Sequence, residues 1–352
     1  DALAVKIPPT PGTPGSTVTG RPIQPLECSE AEFPECDNAK VSEDGTSLIA
    51  TIDGAVSRQG PRLVLDPTLR VASDVAYETG NIDSKVTVMV GADVRSGFSV
   101  KTERDIHIQS VVEGAKLEAK GNITVKGGIE GGGKAVIDAN GDVAAKYISN
   151  ATITSLQNIV VESGIVQSKI WAGKRVIVTG HPGEIVGGEI DADEDVVANT
   201  IGSDMGVRTI ICLGKKTEQL AELMGENENK CQEQEEAVEK CSQIIDVLRQ
   251  QMAQQSTPSA DLEKGMQQAR QMMTDARENI ASLTAEHDDL LTQYEEGLRK
   301  SRTVRARKNI LPGTVITISG AELEIKEPTG PATVVKYGDE LSVFPFRELT
   351  DQ

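Results

Sequence analysis

Branched apolar residues recur through the middle of the chain in short runs that alternate with polar residues. One row of these positions has steps of 20, 17, 20, 16, 17 and 20 residues and consists of Val86, Ile106, Ile123, Val143, Ile159, Val176 and Val196. A second row lies six residues earlier in each repeat and consists of Val100, Leu117, Ile137, Ile153, Ile170 and Ile190. A third row consists of Ile129, Ile148, Ile165, Ile185 and Ile201. Self-similarity at about 18 residues with alternating apolar positions is typical of a three-sided parallel β-helix.

The uneven steps have their origin in the corners of this coil. Extra residues fall near the glycine-containing segments 131–133 and 180–183, while the apolar rows stay in phase. A left-handed hexapeptide coil is expected to keep a strict repeat, and parallel crossovers are generally right-handed. The pattern therefore predicts a right-handed parallel β-helix.

Beyond Gly214 the period changes from that of a strand to that of a helix. From Leu220 to Met252, and again from Leu262 to Tyr294, the seam residues recur at steps of 4 and 3, which is a heptad pattern. Between these stretches, Ser256-Thr257-Pro258 supplies a cap and a first-turn proline for a second helix. Because a short loop joins them, the two helices are expected to form a long antiparallel coiled-coil hairpin.

The predicted fold is mainly β with this α insertion, and it has five parts. They are a Pro-rich extended strap over 1–40, a β-rich N-terminal cap over 41–85, the parallel β-helix over 86–214, the coiled-coil hairpin over 215–308, and a β tail over 309–352. Within the N-terminal cap, Asp53-Gly54 predicts a β-hairpin turn. The tail is expected to rejoin the β-helix and cap its open end, since an uncovered rung can pair with another molecule.

Composition narrows the possible partners. The net charge of −18 argues against nucleic acid or an anionic membrane surface, because both require clustered cations. No run of 18 apolar residues is present, so no membrane span is predicted. Of the five cysteines, Cys28 and Cys36 alone are close enough in sequence to suggest a pair. Reduced thiols of a cytoplasmic protein are the favoured interpretation, with a Cys28–Cys36 disulfide or half of a metal site as alternatives.

Several short motifs resemble the bacterial flagellar assembly protein A family. They include Gly97-Phe98-Ser99-Val100, the segment from Gly141 to Ile148, and Ile185-Val186-Gly187-Gly188. The resemblance covers almost the whole chain. It implies a cytoplasmic β-helix protein interrupted by a helical hairpin and linked to assembly or placement of the flagellum, without catalytic residues to transfer. Many members are longer at the N-terminus, so the chain resembles a fragment that lacks a first domain.

Two motifs raise the question of chemistry. Gly128 to Lys134 fits the phosphate-loop pattern G-x-x-x-x-G-K, but Ala135 stands where magnesium needs Ser or Thr, and a strand follows instead of a helix. We interpret the segment as a β-helix corner. The acidic run Glu189, Asp191, Asp193 and Asp195 is interpreted as a solvated face, with calcium binding or the carboxylate pair of a carbohydrate-cleaving β-helix enzyme as alternatives.

Two groups of side chains in the hairpin are candidate partner-binding residues. Near the tip these are Met252, Met266, Met272 and Met273, where methionine fills a core or adapts to a partner. At the root they are Arg299, Lys300 and Arg302. These belong to a wider basic group with Lys215, Lys216, Arg305, Arg307 and Lys308. The basic group either pairs with acids of the β-helix and the C-terminal end of the second helix, or forms a docking patch for anions.

The sequence thus predicts a non-enzymatic scaffold or adaptor in bacterial flagellar assembly or placement, acting through contacts of the β-helix and the hairpin with partner proteins. No cofactor or metal is predicted, and a homo-oligomer is an open possibility. The alternatives are a β-helix protein that forms cytoskeletal polymers and, ranked last, a carbohydrate-active β-helix enzyme.

Overall fold

The computed structural model describes residues 1–25, 28–253 and 260–348. These form a β-solenoid of about eight turns with two inserted helices, which confirms the predicted fold class. The predicted break at Ser256-Thr257-Pro258 lies outside the described residues. The chain divides into two compact units, Asp1–Trp171 with Ile177–Gly183 and Ala172–Val176 with Glu184–Gln352.

The strands before the helices are short except where two sides of the coil run together. They are β1 Ala2–Val5, β2 Gly15–Ser16, β3 Pro22–Ile23, β4 Ala39–Val41, β5 Ser47–Ala50, β6 Ala55–Gln59, β7 Arg62–Asp66, β8 Thr68–Val71, β9 Ile82–Ser84, β10 Thr87–Val90, β11 Ser99–Thr102, β12 Ile106–Ile108, β13 Val112–Glu113, β14 Lys116–Ala119, β15 Ile123–Val125, β16 Ile129–Ala139, β17 Val143–Ser155, β18 Ile159–Ala172, β19 Val176–Val178, β20 Glu184–Ala192, β21 Asp195–Ile201 and β22 Thr209–Leu213.

The helices and the strands that follow complete the chain. They are α1 Lys215–Ala253, α2 Ala260–Arg299, β23 Thr303–Ile310, β24 Thr314–Ile318, β25 Ala321–Ile325, β26 Ala332–Tyr337 and β27 Glu340–Pro345. Helix α2 ends at Arg299, and residues 303–310 form a strand, so the predicted hairpin range of 215–308 extends too far. Among the described residues, no helix has a stretch long and apolar enough to cross a membrane.

The strands that precede the coil pair antiparallel. Strand β5 lies between β1 and β4, and β6 pairs with β7 around a turn at Gly60, where φ is +62°. The hairpin predicted at Asp53-Gly54 is therefore wrong, because β5 and β6 pair with other strands. Parallel pairing begins with Thr68 of β8 opposite Thr87 of β10, so the first rung starts inside the range predicted for the cap.

The apolar rows predicted from the sequence are rows of parallel register. Ile106 pairs with Ile123 and Ile123 with Val143. In the second row Val100 pairs with Leu117, and Leu117 with Ile137. All these side chains are fully buried. The interior of the coil is thus filled by branched aliphatics that stack on one another.

The first member of the predicted row is wrong. Val88, and not Val86, pairs with Ile106, so the first step is 18 residues. Both valines are buried and both stand in the same phase of the alternation. Alternation along a strand therefore could not choose between them, since it repeats every two residues.

The predicted insertion at the glycine corner is confirmed. Glu130 pairs with Ser149, and Ala135 pairs with Ala151, so four residues of β16 stand opposite one residue of β17. Gly132 and Gly133 have positive φ of +54° and +74°, with open space where a Cβ would stand. The three extra residues are accommodated as a bulge that leaves the buried rows in register.

In the second unit the ladder continues on both sides of the helices. Val196 of β21 pairs in parallel with Val304 of β23, although α1 and α2 separate them in sequence. Ile211 of β22 pairs in the same way with Ile316 of β24. Beyond these rungs the pairing is antiparallel, with β25 on β24, β26 on β23, and β27 on β26. The hairpin is therefore an insertion between two adjacent turns of the coil.

Candidate functional site: the root of the helical hairpin

The hairpin joins the coil through two glycines that allow close packing. Gly214 links β22 to α1 with φ of +80°, and a Cβ there would stand 2.4 Å from Nε of Arg302. Gly297 lies in the last turn of α2, where a Cβ would stand 2.6 Å from Oγ1 of Thr217. A side chain at position 214 or 297 would therefore displace the side chain of Arg302 or of Thr217, and position 214 also has a positive φ that favours glycine.

Asp193 stands at the centre of the root. Lys300 Nζ donates to Asp193 Oδ2 at 2.6 Å, and Arg302 Nη2 lies 3.4 Å from Asp193 Oδ1. Arg302 Nε also donates to the main-chain oxygen of Asp193 at 3.0 Å, and its Nη2 donates to Thr217 Oγ1 at 2.7 Å. The side chains of Asp193 and Arg302 are 7% and 6% exposed. One buried guanidinium thus joins the coil, the start of α1 and the strand that follows α2.

Two further pairs flank Asp193. Thr303 Oγ1 donates to Asp195 Oδ1 at 2.6 Å, and Arg175 Nε lies 3.3 Å from Asp195 Oδ2. On the other side, Lys215 Nζ lies 3.6 Å from Asp191 Oδ2. Burial raises the pKa of the Asp191 carboxyl, and the charge of Lys215 offsets part of that effect. The Asp191 carboxylate in turn raises the pKa of Lys215.

Three of the four acids of the run are therefore not on the solvated face that the alternation suggested, whereas the side chain of Glu189 is 43% exposed. Asp191, Asp193 and Asp195 are all buried, and each has a cationic or hydroxyl partner from the hairpin or a neighbouring strand. The described residues contain no group of three or more His, Cys, Asp or Glu placed to hold a metal ion. These aspartates form ion pairs and a hydrogen bond that connect the hairpin and β23 to the coil.

The predicted partner-binding residues at the root have different surroundings. Arg302 is buried and bonded to Asp193 and Thr217, which favours the interpretation that it pairs with acids of the β-helix over a docking patch. Lys300 has a side chain that is 38% exposed, and it pairs with Asp193 and, at 3.9 Å, with Glu194. Arg299 is 79% exposed and lies 3.6 Å from Glu295 one turn away. Of the three, Arg299 is the most accessible to a partner.

The methionines near the tip also differ in exposure: three are packed in the hairpin and one is exposed. Met266 is buried in a cluster with Ile245 and Ala269, and Met252 and Met273 pack against that cluster. Met272 is 63% exposed. Core filling therefore describes the first three, and Met272 remains as a surface residue.

The other candidate motifs hold structural positions. The aromatic ring of Tyr147 covers Gly128, where a Cβ would stand 2.0 Å from the ring, and the phosphate-loop pattern continues into β16. Tyr147 donates to Glu130 Oε1 at 2.6 Å. All five cysteines lie within the described residues and are free, including Cys28 and Cys36.

Sequence reasoning missed how much of the root depends on Thr217, Gly214 and Gly297. The acidic run and the basic group were both visible, and their opposite charges were the available signal. Asp193 and Lys300 are 107 residues apart, so nothing local identified the partner of each charge.

The comparisons with known proteins identify the family. Residues 67–341 match the β-solenoid domain of Flagellar Assembly Protein A, and residues 1–60 match the N-terminal region of the same family. The comparison with curated proteins gave no match, and neither did that with solved structures. Because the two matched regions span most of the 352 residues, the chain belongs to the Flagellar Assembly Protein A family, which confirms the resemblance seen in the sequence.

Proposed function

We propose that the protein is a non-enzymatic scaffold or adaptor of bacterial flagellar assembly or placement, and that it works in the cytoplasm through contacts with partner proteins. The observation that carries this proposal is the hairpin of α1 and α2, inserted between adjacent turns of the coil and held at its root by buried ion pairs. Family membership supports the link to flagellar assembly.

The length of the hairpin is compatible with an arm whose surface binds partner proteins at a distance from its root. Its helices have 39 and 40 residues, which corresponds to about 60 Å at 1.5 Å per residue. Such a length is not needed to close a solenoid turn, since other turns of this coil close through short corners. Ile244, Val247 and Met272 are exposed apolar residues in the half of the hairpin nearer its tip. They are candidates for contact with a partner, because exposed apolar side chains are enriched where proteins associate.

The antiparallel strands after the last parallel rung favour an adaptor over an end-to-end polymer. Strands β25 and β26 pair antiparallel with β24 and β23 and interrupt the parallel ladder that polymer growth would extend. A carbohydrate-active enzyme would need two accessible carboxylates. Asp191 and Asp193 do not supply them, because they are buried in ion pairs with Lys215 and Lys300. Association of two copies through the hairpin remains compatible with the adaptor role.

The test is removal of the arm while its root is kept. Residues 222–292 are replaced by a short Gly-Ser linker, so that Thr217, Gly297 and Arg302 stay in place. A matched control carries an unrelated antiparallel coiled coil of the same length on the same root. Circular dichroism verifies that both variants retain their β signal, and electron microscopy counts and locates flagella in cells that carry each variant as the sole copy.

Both variants are expected to lose the cellular role, because neither presents the native surface. Normal flagellar number and position with the linker variant would reject the hairpin as the working part. Normal flagellation with the foreign coiled coil alone would show that length suffices and that the exposed residues of the native arm are dispensable.

A further inference from the structure

An arginine with two buried nitrogen atoms that lack a hydrogen-bond partner in the described part of the chain lies on the outer wall of the second unit. Arg305 belongs to β23, between Val197 of β21 and Thr333 of β26. Its Nε and Nη1 atoms are buried and have no hydrogen-bond partner among the described residues. Both flanking residues are themselves buried, so this part of the wall is shielded from water.

Arginine cannot relieve this situation by releasing a proton, because its guanidinium stays charged at every pH a protein tolerates. Buried polar groups in native proteins are nearly always hydrogen-bonded, and a buried donor without an acceptor is destabilising. The cations at the hairpin root meet this requirement through Asp193 and Thr217. The Nε and Nη1 atoms of Arg305 have no acceptor among the described residues.

The surroundings of Arg305 are basic. Ala306 pairs with Ala198 and Asn309 with Thr200, so Arg307 and Lys308 form a bulge opposite one residue of β21. Bulges are frequent beside binding sites, where they redirect side chains. Arg307 is 42% exposed, and its ion pair with the largely exposed Glu348 is long at 3.8 Å. Arg305, Arg307 and Lys308 thus place three cations close together in a protein with a net charge of −18.

We propose that Arg305, together with Arg307, binds an oxyanion, either a phosphate group or a carboxylate. A guanidinium presents parallel N–H groups that match two oxygens of such an anion. Arg305 as a whole is intermediate in exposure, so part of the residue reaches the surface although its Nε and Nη1 are buried. Arg307 supplies the second cation by exchanging its weak contact with Glu348. This site is separate from the ion pairs of the root and goes beyond the proposed adaptor function.

The test uses the full chain in a chloride buffer and two probes, inorganic phosphate and a blocked peptide of alternating Asp and Glu. Sodium chloride keeps the ionic strength constant, so that general screening is the same in every sample. Calorimetry gives the affinity and thermal unfolding gives the shift of Tm. The variants are Arg305→Met, Arg305→Lys, which keeps the charge but loses the fork, and Arg277→Met as an exposed control on α2.

At least one probe is expected to bind the wild type and raise its Tm. Arg305→Met is expected to weaken that binding by about tenfold or more, since a charge-assisted hydrogen bond is lost. Arg305→Lys should give an intermediate loss even if the methionine variant folds poorly, and Arg277→Met should bind as the wild type does. Binding of phosphate alone assigns a small anion, and binding of the peptide alone assigns an acidic partner segment. If neither probe binds, or if Arg277→Met loses as much affinity as Arg305→Met, the proposal is overturned.

Discussion

Replacing Asp193 by alanine tests whether the buried ion pairs hold the hairpin to the coil. Breaking a buried pair by removing one partner costs about 3–5 kcal/mol, because the other charge is left buried without compensation. Lys300 is 38% exposed, so water screens its share of the loss. Arg302 is 6% exposed and keeps its bonds to Thr217 and to the main-chain oxygen at residue 193. We therefore expect a loss at the lower end, about 3 kcal/mol.

Native-state hydrogen exchange measures the loss of local stability at the root of the hairpin. A cost of about 3 kcal/mol corresponds to an opening equilibrium about 150-fold larger. Amides in the first turn of α1 and in β23 that exchange through opening of the root should lose protection by about this factor. A local measurement is preferable to a global midpoint, because the chain has two compact units and need not unfold in one step.

The matched control is Arg299→Ala. Arg299 is exposed and pairs with Glu295 on the same face of α2, and such surface pairs contribute about 0.5 kcal/mol or less. Its protection pattern at the root should match that of the wild type. A change of less than about threefold in Asp193→Ala, or an equal change in both variants, would refute the idea that Asp193 anchors the hairpin.

Three further predictions concern the packing of the hairpin, the helix propensity of α1 and the pKa of one carboxyl group. Met266→Ala should destabilise the hairpin by about 2–5 kcal/mol in urea unfolding because Met266 is buried, whereas Met272→Ala should cost less than about 0.5; equal effects would contradict the assigned packing. Gly225→Ala, in the interior of α1 with open space around it, should stabilise α1 by about 0.5–1 kcal/mol in thermal unfolding, and a lower Tm would count against this. Hydrogen bonds from Ser42 and Thr46 lower the pKa of Asp44 to about 2, so its contribution to stability is present above its ordinary pKa of 3.8 and is lost as the pH falls through about 2. Ser42→Ala should raise that pKa toward the ordinary value in a carboxyl NMR titration, and an unchanged midpoint would reject the assigned cause.

The coil was predictable from sequence because its core follows simple periodicities. Side chains alternate every two residues along each strand, and each rung places a branched apolar residue over the one below it, as Ile106, Ile123 and Val143 do. The hairpin was predictable for the same reason, since its heptad pattern depends on neighbours within one helix. Both patterns are local or regular, so they can be read without knowing the fold.

The errors have a common physical origin in contacts that local periodicity does not encode. Val86 and Val88 share one phase of the alternation, so periodicity alone does not show that Val88 is the residue that pairs with Ile106. Asp53-Gly54 has a favourable turn sequence, but β5 finds better partners in β1 and β4.

The acidic run shows the same limit in the candidate site. Its alternating charges resemble a solvated surface, and their burial depends on Lys300 and Arg302, which lie more than 100 residues further along the chain. Strand β23 pairs with β21 after the two helices, and this pairing determines which cation lies beside which acid. That return follows from the fold as a whole and has no local signature.

The fixed direction of the hairpin is tested most directly by a distance measurement within the second unit. Spin labels are introduced by noncanonical amino acids at Ser242 on α1 and Glu322 on β25, both exposed, so that the native cysteines stay unlabelled. Double electron–electron resonance then gives the distance distribution in the wild type and in Asp193→Ala. We expect one narrow distribution for the wild type and a clearly broader one for the variant. A wild-type distribution as broad as that of the variant would contradict an arm held in place by its buried root.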